Sequence, residues 1–121
     1  MLIIGLIIGG VFIFNDKGQQ SGQPETVTGN ETLEVIISNT NGNPITNVEV
    51  DLWKADKASE APNAGITKTN NQGIATFKVP AGNYLAGFNG IDFPQEFFFP
   101  EKIPVEVKVG TNQQKITLEF K

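Results

Sequence analysis

The sequence predicts an all-β, Ig-like sandwich of about seven short antiparallel strands behind an apolar N-terminal segment. Three observations predict it. Apolar residues alternate with polar ones in short runs from Glu31 to Lys121, the period-2 mark of half-buried strands. Turn signals rich in Gly, Asn and Pro separate those runs at roughly 8–12-residue spacing. Finally, Gly 13 and Pro 7 stand against Met 1 among 121 residues, a balance that favours turns and strands over helices.

The first strand is read at residues 31–38, with Leu33, Val35 and Ile37 on one face. Asn41-Gly42 and Pro44 then turn the chain, and residues 47–53 set Val48, Val50 and Leu52 inward, Asn47, Glu49, Asp51 and Trp53 outward. Residues 54–64 are polar and lack an apolar period, which predicts a loop or a single helical turn. A short strand follows near Ile66–Thr69, then a turn at Asn70–Gly73 and a strand that buries Ala75, Phe77 and Val79. Pro80-Ala81-Gly82 reverses the chain into a strand with Tyr84, Ala86 and Phe88 inward, and Asn89-Gly90 signals another hairpin. After an aromatic stretch through Phe99, one strand carries Ile103, Val105, Val107 and Val109 on its inner face, with Pro104 marking a sheet edge. A turn at Gly110-Thr111-Asn112 leads to the last strand, with Ile116, Leu118 and Phe120 inward.

Three segments divide the chain: residues 1–14, 15–30 and 31–121. Leu2 to Phe14 is uninterrupted apolar or glycine sequence. As a helix it spans only ~20 Å against a hydrocarbon core of ~30 Å. It reads as an anchor to a membrane or as an arm for assembly, and no basic flank or small-x-small triplet marks a cleaved signal. Gly5 and Gly9 have the spacing that lets two helices approach closely, while the Ile, Val and Phe content equally suits a strand donated to a neighbour's sheet. Residues 15–30 are polar and rich in Gly, Gln, Pro, Ser and Thr, which predicts a flexible linker. Asn30-Glu31-Thr32 fits the N-glycosylation acceptor pattern at Asn30.

A formal net charge of -4, with nine basic residues spread thinly along the chain, leaves no stripe to release counterions from a nucleic acid. Nucleic acid is not an expected partner. His 0 and Cys 0 remove the usual general bases, thiolate nucleophiles and soft-metal ligands. None of Ser21, Ser38 and Ser59 lies in a nucleophile elbow, and Asp51, Asp56, Glu60, Asp92, Glu96 and Glu101 read as solvated surface charge. We expect no enzyme activity, no cofactor and no metal.

The order of residues carries more than the periodicity does. N-G-N-P-I-T-N-V-E-V, then T-N-N-Q-G-I-A-T-F-K-V, then P-A-G-N-Y, between Leu33 and Phe88, resembles the carboxypeptidase-regulatory-like and Cna-B-type family. That resemblance implies a prealbumin-like (transthyretin-like) sandwich over about half the chain. Some members of the family carry an isopeptide cross-link between a first-strand lysine and a last-strand Asn or Asp, with a catalytic Glu near the P-x-G-Y turn. Here the first strand has Glu34 and no lysine, the last is read with Thr117 and Glu119 but no Asn or Asp, and Phe77 and Lys78 stand near the expected acid. No such cross-link is expected.

Trp53 on the outward side of its strand, and Phe93, Phe97, Phe98 and Phe99 in a run too crowded for strict alternation, are the candidate binding surface. The competing reading of the phenylalanine run is that it crosses between the sheets or closes one end of the core. Together with the resemblance, these features predict a non-catalytic, extracytoplasmic module, anchored in a membrane or an assembly and acting in adhesion, scaffolding or as an accessory subunit through protein contacts. Two alternatives stand beside it: a carbohydrate-binding module using Trp53, Phe93 and Tyr84, and a filament subunit whose apolar arm inserts into a neighbouring protomer.

Overall fold

The computed structural model describes residues 29–121; the 1–14 arm, with Gly5 and Gly9, and most of the 15–30 linker lie outside the described residues. Seven strands follow in order: β1 Glu31–Asn39, β2 Glu49–Lys54, β3 Gly65–Lys68, β4 Ile74–Val79, β5 Gly82–Phe88, β6 Ile103–Val107 and β7 Thr111–Leu118. A single 3-10 turn, Ala55–Lys57, is the one helical element among the described residues. They contain no helix long and apolar enough to cross a membrane.

The strands form two layers, a three-stranded sheet in the order β4-β1-β7 and a four-stranded sheet in the order β3-β2-β5-β6. All neighbours are antiparallel except β1 and β7, which run parallel with Thr32 opposite Thr111 and Asn39 opposite Leu118. The inner faces are those the alternation predicts. Leu33, Val35 and Ile37 of β1 meet Ala75, Phe77 and Val79 of β4 and Ile116 and Leu118 of β7, across from Val50, Leu52, Tyr84, Ala86, Val105 and Val107 of the other sheet. Stacking two such faces removes hydrocarbon from water at about 25 cal/mol per Å², the main term that offsets chain entropy in a chain without disulfides. Pro104 sits on β6, an edge of the four-stranded sheet, where a missing N–H costs no ladder bond.

The pairing fixes which loops share an end. Because β7 runs parallel to β1 and β4 antiparallel to it, the chain enters at the pole that holds Pro80–Gly82 and Gly110, where the Gly29 N–H donates to the Lys78 carbonyl at 3.2 Å. The opposite pole gathers residues 40–44, 69–73, 89–102 and 119–121.

Four expectations need correction. Asn89-Gly90 makes no tight hairpin: Gly90 does not adopt positive φ, and residues 89–102 make a long excursion before β5 pairs with β6. Asn89 turns on itself, its Oδ1 accepting from the Ile91 N–H at 2.9 Å. Val109, 85% exposed, lies beyond the end of β6, where no facing layer remains to cover it. Phe120, 44% exposed, is past the end of β7 and packs sideways on Phe97. Thr111 and Asn112 belong to β7 and not to a turn, so the last strand does carry an asparagine. Its Nδ2 donates to the Thr32 and Lys108 carbonyls at 3.1 and 2.8 Å, and β1 beside it holds no lysine.

Candidate functional site

The outer face of β2 differs most from expectation. Strict alternation exposes Asp51 and Trp53, yet β2 is buried on both faces, with Asp51 at 4% and Trp53 at 6% exposure. Both side chains do point away from the core. They are buried because the loops fold back over the sheet. The Trp53 Nε1–H donates to the Glu60 carbonyl at 2.8 Å, the Lys102 ammonium lies 4.0 Å from the Trp53 ring centroid, and that ammonium also donates to the Ala58 carbonyl at 2.7 Å. Beneath the ring is Gly87, where an added Cβ would come within 3.1 Å of Trp53 Cζ3. Only a residue without a side chain lets the indole lie flat on β5. Asn63 fastens the same loop, accepting from the Lys54 N–H at 2.7 Å and donating to the Lys57 carbonyl at 3.0 Å.

Asp51 is the group the sequence reading missed as anything but surface charge. Its Oδ1 is buried and has no hydrogen-bond partner among the described residues. Burial first, then a hydrogen bond to Glu49 and the charges of Glu49 and Asp92, push its pKa up from 3.8 to about 7. A protein interior disfavours the charged form of a carboxyl, and two like charges disfavour it further. In the unfolded chain the pKa returns to its ordinary value, so the folded state binds the extra proton between the two. The stability contributed by protonated Asp51 is complete below pH 3.8 and is lost as pH rises through about 7. Urea unfolding across that range should give a midpoint that falls with pH in wild type, with the slope attributable to this group absent in Asp51→Asn.

The aromatic run divides by position. Phe97, 3% exposed, closes the core at the pole away from the chain entry, its ring 4.8 Å from that of Phe120. Backbone bonds carry it there: the Phe98 N–H donates to the Glu119 carbonyl at 2.9 Å, and the Lys121 N–H donates to the Glu96 carbonyl at 3.0 Å. The excursion from one sheet thereby pairs with the extension of β7 from the other. Half-buried Phe93 stands edge-on to both Phe88 and Phe99, with ring centroids 5.3 Å and 5.0 Å away. Phe98 and Phe99 remain 56% and 53% exposed. Two shallow clefts of about 230 Å³ each flank them, one lined by Phe98, Pro100 and Leu118, the other by Phe93, Phe97, Phe99 and Lys121.

At the entry pole a wider groove of about 450 Å³ is lined by Lys54, Asp56, Pro80, Asn83 and Tyr84. Burial raises the pKa of Tyr84, whose hydroxyl donates to the Pro80 carbonyl at 2.7 Å. Asn30, beside this pole, is exposed. Among the described residues no group of three His, Cys, Asp or Glu side chains is arranged to hold a metal ion.

With strand order, poles and loops in place, the fold can be set beside known structures. The Bacillus anthracis TIE protein matches with a TM-score of 0.61 and 17% identity, over 97% of this chain and 20% of that one. GBS52, the minor pilin of Streptococcus agalactiae, matches with a TM-score of 0.61 and 10% identity, over 98% of this chain and 50% of that one. BcpA, the major pilin subunit of Bacillus cereus, matches with a TM-score of 0.59 and 12% identity, over 73% of this chain and 28% of that one. The fold is a prealbumin-like β-sandwich, similar to that of Cna-B-type domains. This chain spans between a fifth and a half of the length of those proteins. No protein-family model and no curated protein matches its sequence.

Proposed function

We propose that this Cna-B-type sandwich is a non-catalytic surface module, held outside the cytoplasm through residues 1–14 and acting through protein contacts as a scaffold, adhesion or accessory subunit. The observation that carries the reading is the fold shared with solved pilin structures, the minor pilin GBS52 and the major pilin BcpA among them. The absence of histidine and cysteine from the sequence supports the non-catalytic part.

The arrangement of the poles favours the filament version of this reading. Phe98, Phe99 and Phe120, all substantially exposed, crowd the pole opposite the one where the chain enters. A contact surface at one end and an arm leading from the other suit head-to-tail, heterologous association, which does not close on itself. The carbohydrate reading is less favoured, because the faces of Trp53 and Tyr84 are covered, at 6% and 5% exposure, and stacking on sugars needs an open ring face.

Liposome flotation and sedimentation velocity of the full chain and of a chain lacking residues 1–14 test the proposal. The full chain should float with liposomes or sediment as a large lipid-free assembly, and the truncated chain should be a soluble monomer. Flotation without self-association points to the anchor, and lipid-free assembly to the filament arm. A full chain that is monomeric and stays off lipid overturns both, and glycan-array binding abolished by Phe98→Ala and Phe99→Ala would replace them with the sugar-binding reading.

A further inference from the structure

The outer face of β2 carries a carboxyl that nothing in the scaffold role requires. Asp51 is 4% exposed, and its Oδ1 has no partner. Glu49, two residues earlier on the same face of β2, is within hydrogen-bonding reach of it. Two carboxyl groups can bond to each other only with a proton between them, so that bond lasts only while the pair holds a proton. The third acidic group is Asp92, on the excursion that follows β5. That excursion is tied down at Asn89, whose Nδ2 donates to Glu49 Oε2 at 3.4 Å.

Among the described residues, neighbours on the other elements offer Asp51 no compensating charge. Opposite it in the ladders stand Ile66 of β3 and Gly87 of β5. Lys68 is opposite Glu49 on β3, while Lys102 is committed to the Trp53 ring and the Ala58 carbonyl. The charges that act on Asp51 are those of Glu49 and Asp92, both acidic.

We propose that Glu49, Asp51 and Asp92 form a proton-operated latch that fastens the 89–93 segment to the outer face of β2. With the proton in place, Asp51 and Glu49 hold each other and Glu49 holds Asn89. When it leaves, three carboxylates face one another around a buried oxygen that water does not reach, and Asp92, the member of the three that lies on a loop and not on a strand, moves away. Phe93 belongs to the same segment and stands edge-on between Phe88 and Phe99. Opening the latch therefore loosens the aromatic chain and changes the surface that Phe99 presents. Burial places the Asp51 transition at about 7, within the range that an external medium crosses.

Nuclear magnetic resonance on the intact chain tests this between pH 5 and pH 9. The Asp51 carboxyl carbon reports its titration, the backbone signals of residues 89–93 report the loop, and ring-to-ring contacts of Phe93 report the aromatic chain. In wild type, all three should change with one shared midpoint. Asp51→Asn keeps a donor toward Glu49 without the charge; its loop signals should stay at their low-pH positions to pH 9, with Ile91 amide exchange at least tenfold slower than wild type at that pH. Asp92→Asn should lower the Asp51 midpoint while the fold is kept. The latch is overturned if the loop signals do not follow the Asp51 titration, or follow the same midpoint in Asp51→Asn.

Discussion

Phe97→Ala should destabilise the sandwich by about 3–5 kcal/mol, whereas Phe98→Ala should cost under about 1 kcal/mol, although the two residues are adjacent and chemically identical. The difference lies in where the backbone turns each ring. Phe97 is 3% exposed and Phe98 is 56% exposed. Removing the Phe97 ring takes away buried hydrocarbon and leaves a cavity at the end of the core, and the surroundings are poorly placed to fill it. One neighbour, Phe120, is itself half in solvent, and the paired backbones of residues 96–98 and 119–121 hold the walls apart. Urea unfolding of the two variants checks the prediction; equal losses would mean that the run does not seal the core at Phe97. Phe98→Ala also removes an exposed ring from the proposed contact pole, so it separates effects on association from effects on folding.

How far the sequence could be read is visible in β1 and β2. On β1, alternate residues face a core on one side and solvent on the other, so Leu33, Val35 and Ile37 announce both the strand and its inner face. On β2 the same alternation correctly gives the direction of Asp51 and Trp53 but not their burial, because Trp53 is covered by loop residues 55–64 and by the sequence-distant Lys102, and Asp51 has Asp92 of the 89–102 excursion near it. Periodicity describes a strand against its own sheet; it contains nothing about what later folds onto the other face. Gly87 is the signal that was available, a glycine inside a strand pattern, which marks close approach by another group. Here that group is the Trp53 indole. The aromatic run was ambiguous for a related reason. Four rings within seven positions cannot all follow a period of two, and which of them is buried depends on the pairing of residues 97–98 with 119–120, a long-range contact. Thr69 is a third case. Its hydroxyl accepts from the Val48 N–H at 2.9 Å and donates to the Ile45 carbonyl at 2.8 Å, a buried tie between the β1–β2 and β3–β4 connections that no local pattern reveals.

Gly73→Ala should cost about 3 kcal/mol, and Gly42→Ala only about 1 kcal/mol, although both glycines hold positive φ in turns at the same pole. Their φ values are 77° and 85°, so the conformational penalty of adding a Cβ is nearly the same for each. Space makes the difference. At Gly42 an added Cβ has nothing within 4 Å, but at Gly73 it would lie 2.5 Å from the Ile37 carbonyl oxygen and 3.0 Å from Pro44 Cβ. The Ile37 carbonyl cannot retreat freely, because it accepts the Ile45 N–H at 3.1 Å while the Ile37 N–H donates to the Gly73 carbonyl at 2.7 Å. A methyl group there must break one of these bonds or push the β3–β4 turn off the end of β1. Thermal or urea unfolding of the two alanine variants measures the contrast directly. Equal losses would show that only φ matters at Gly73 and that the turn has room to yield.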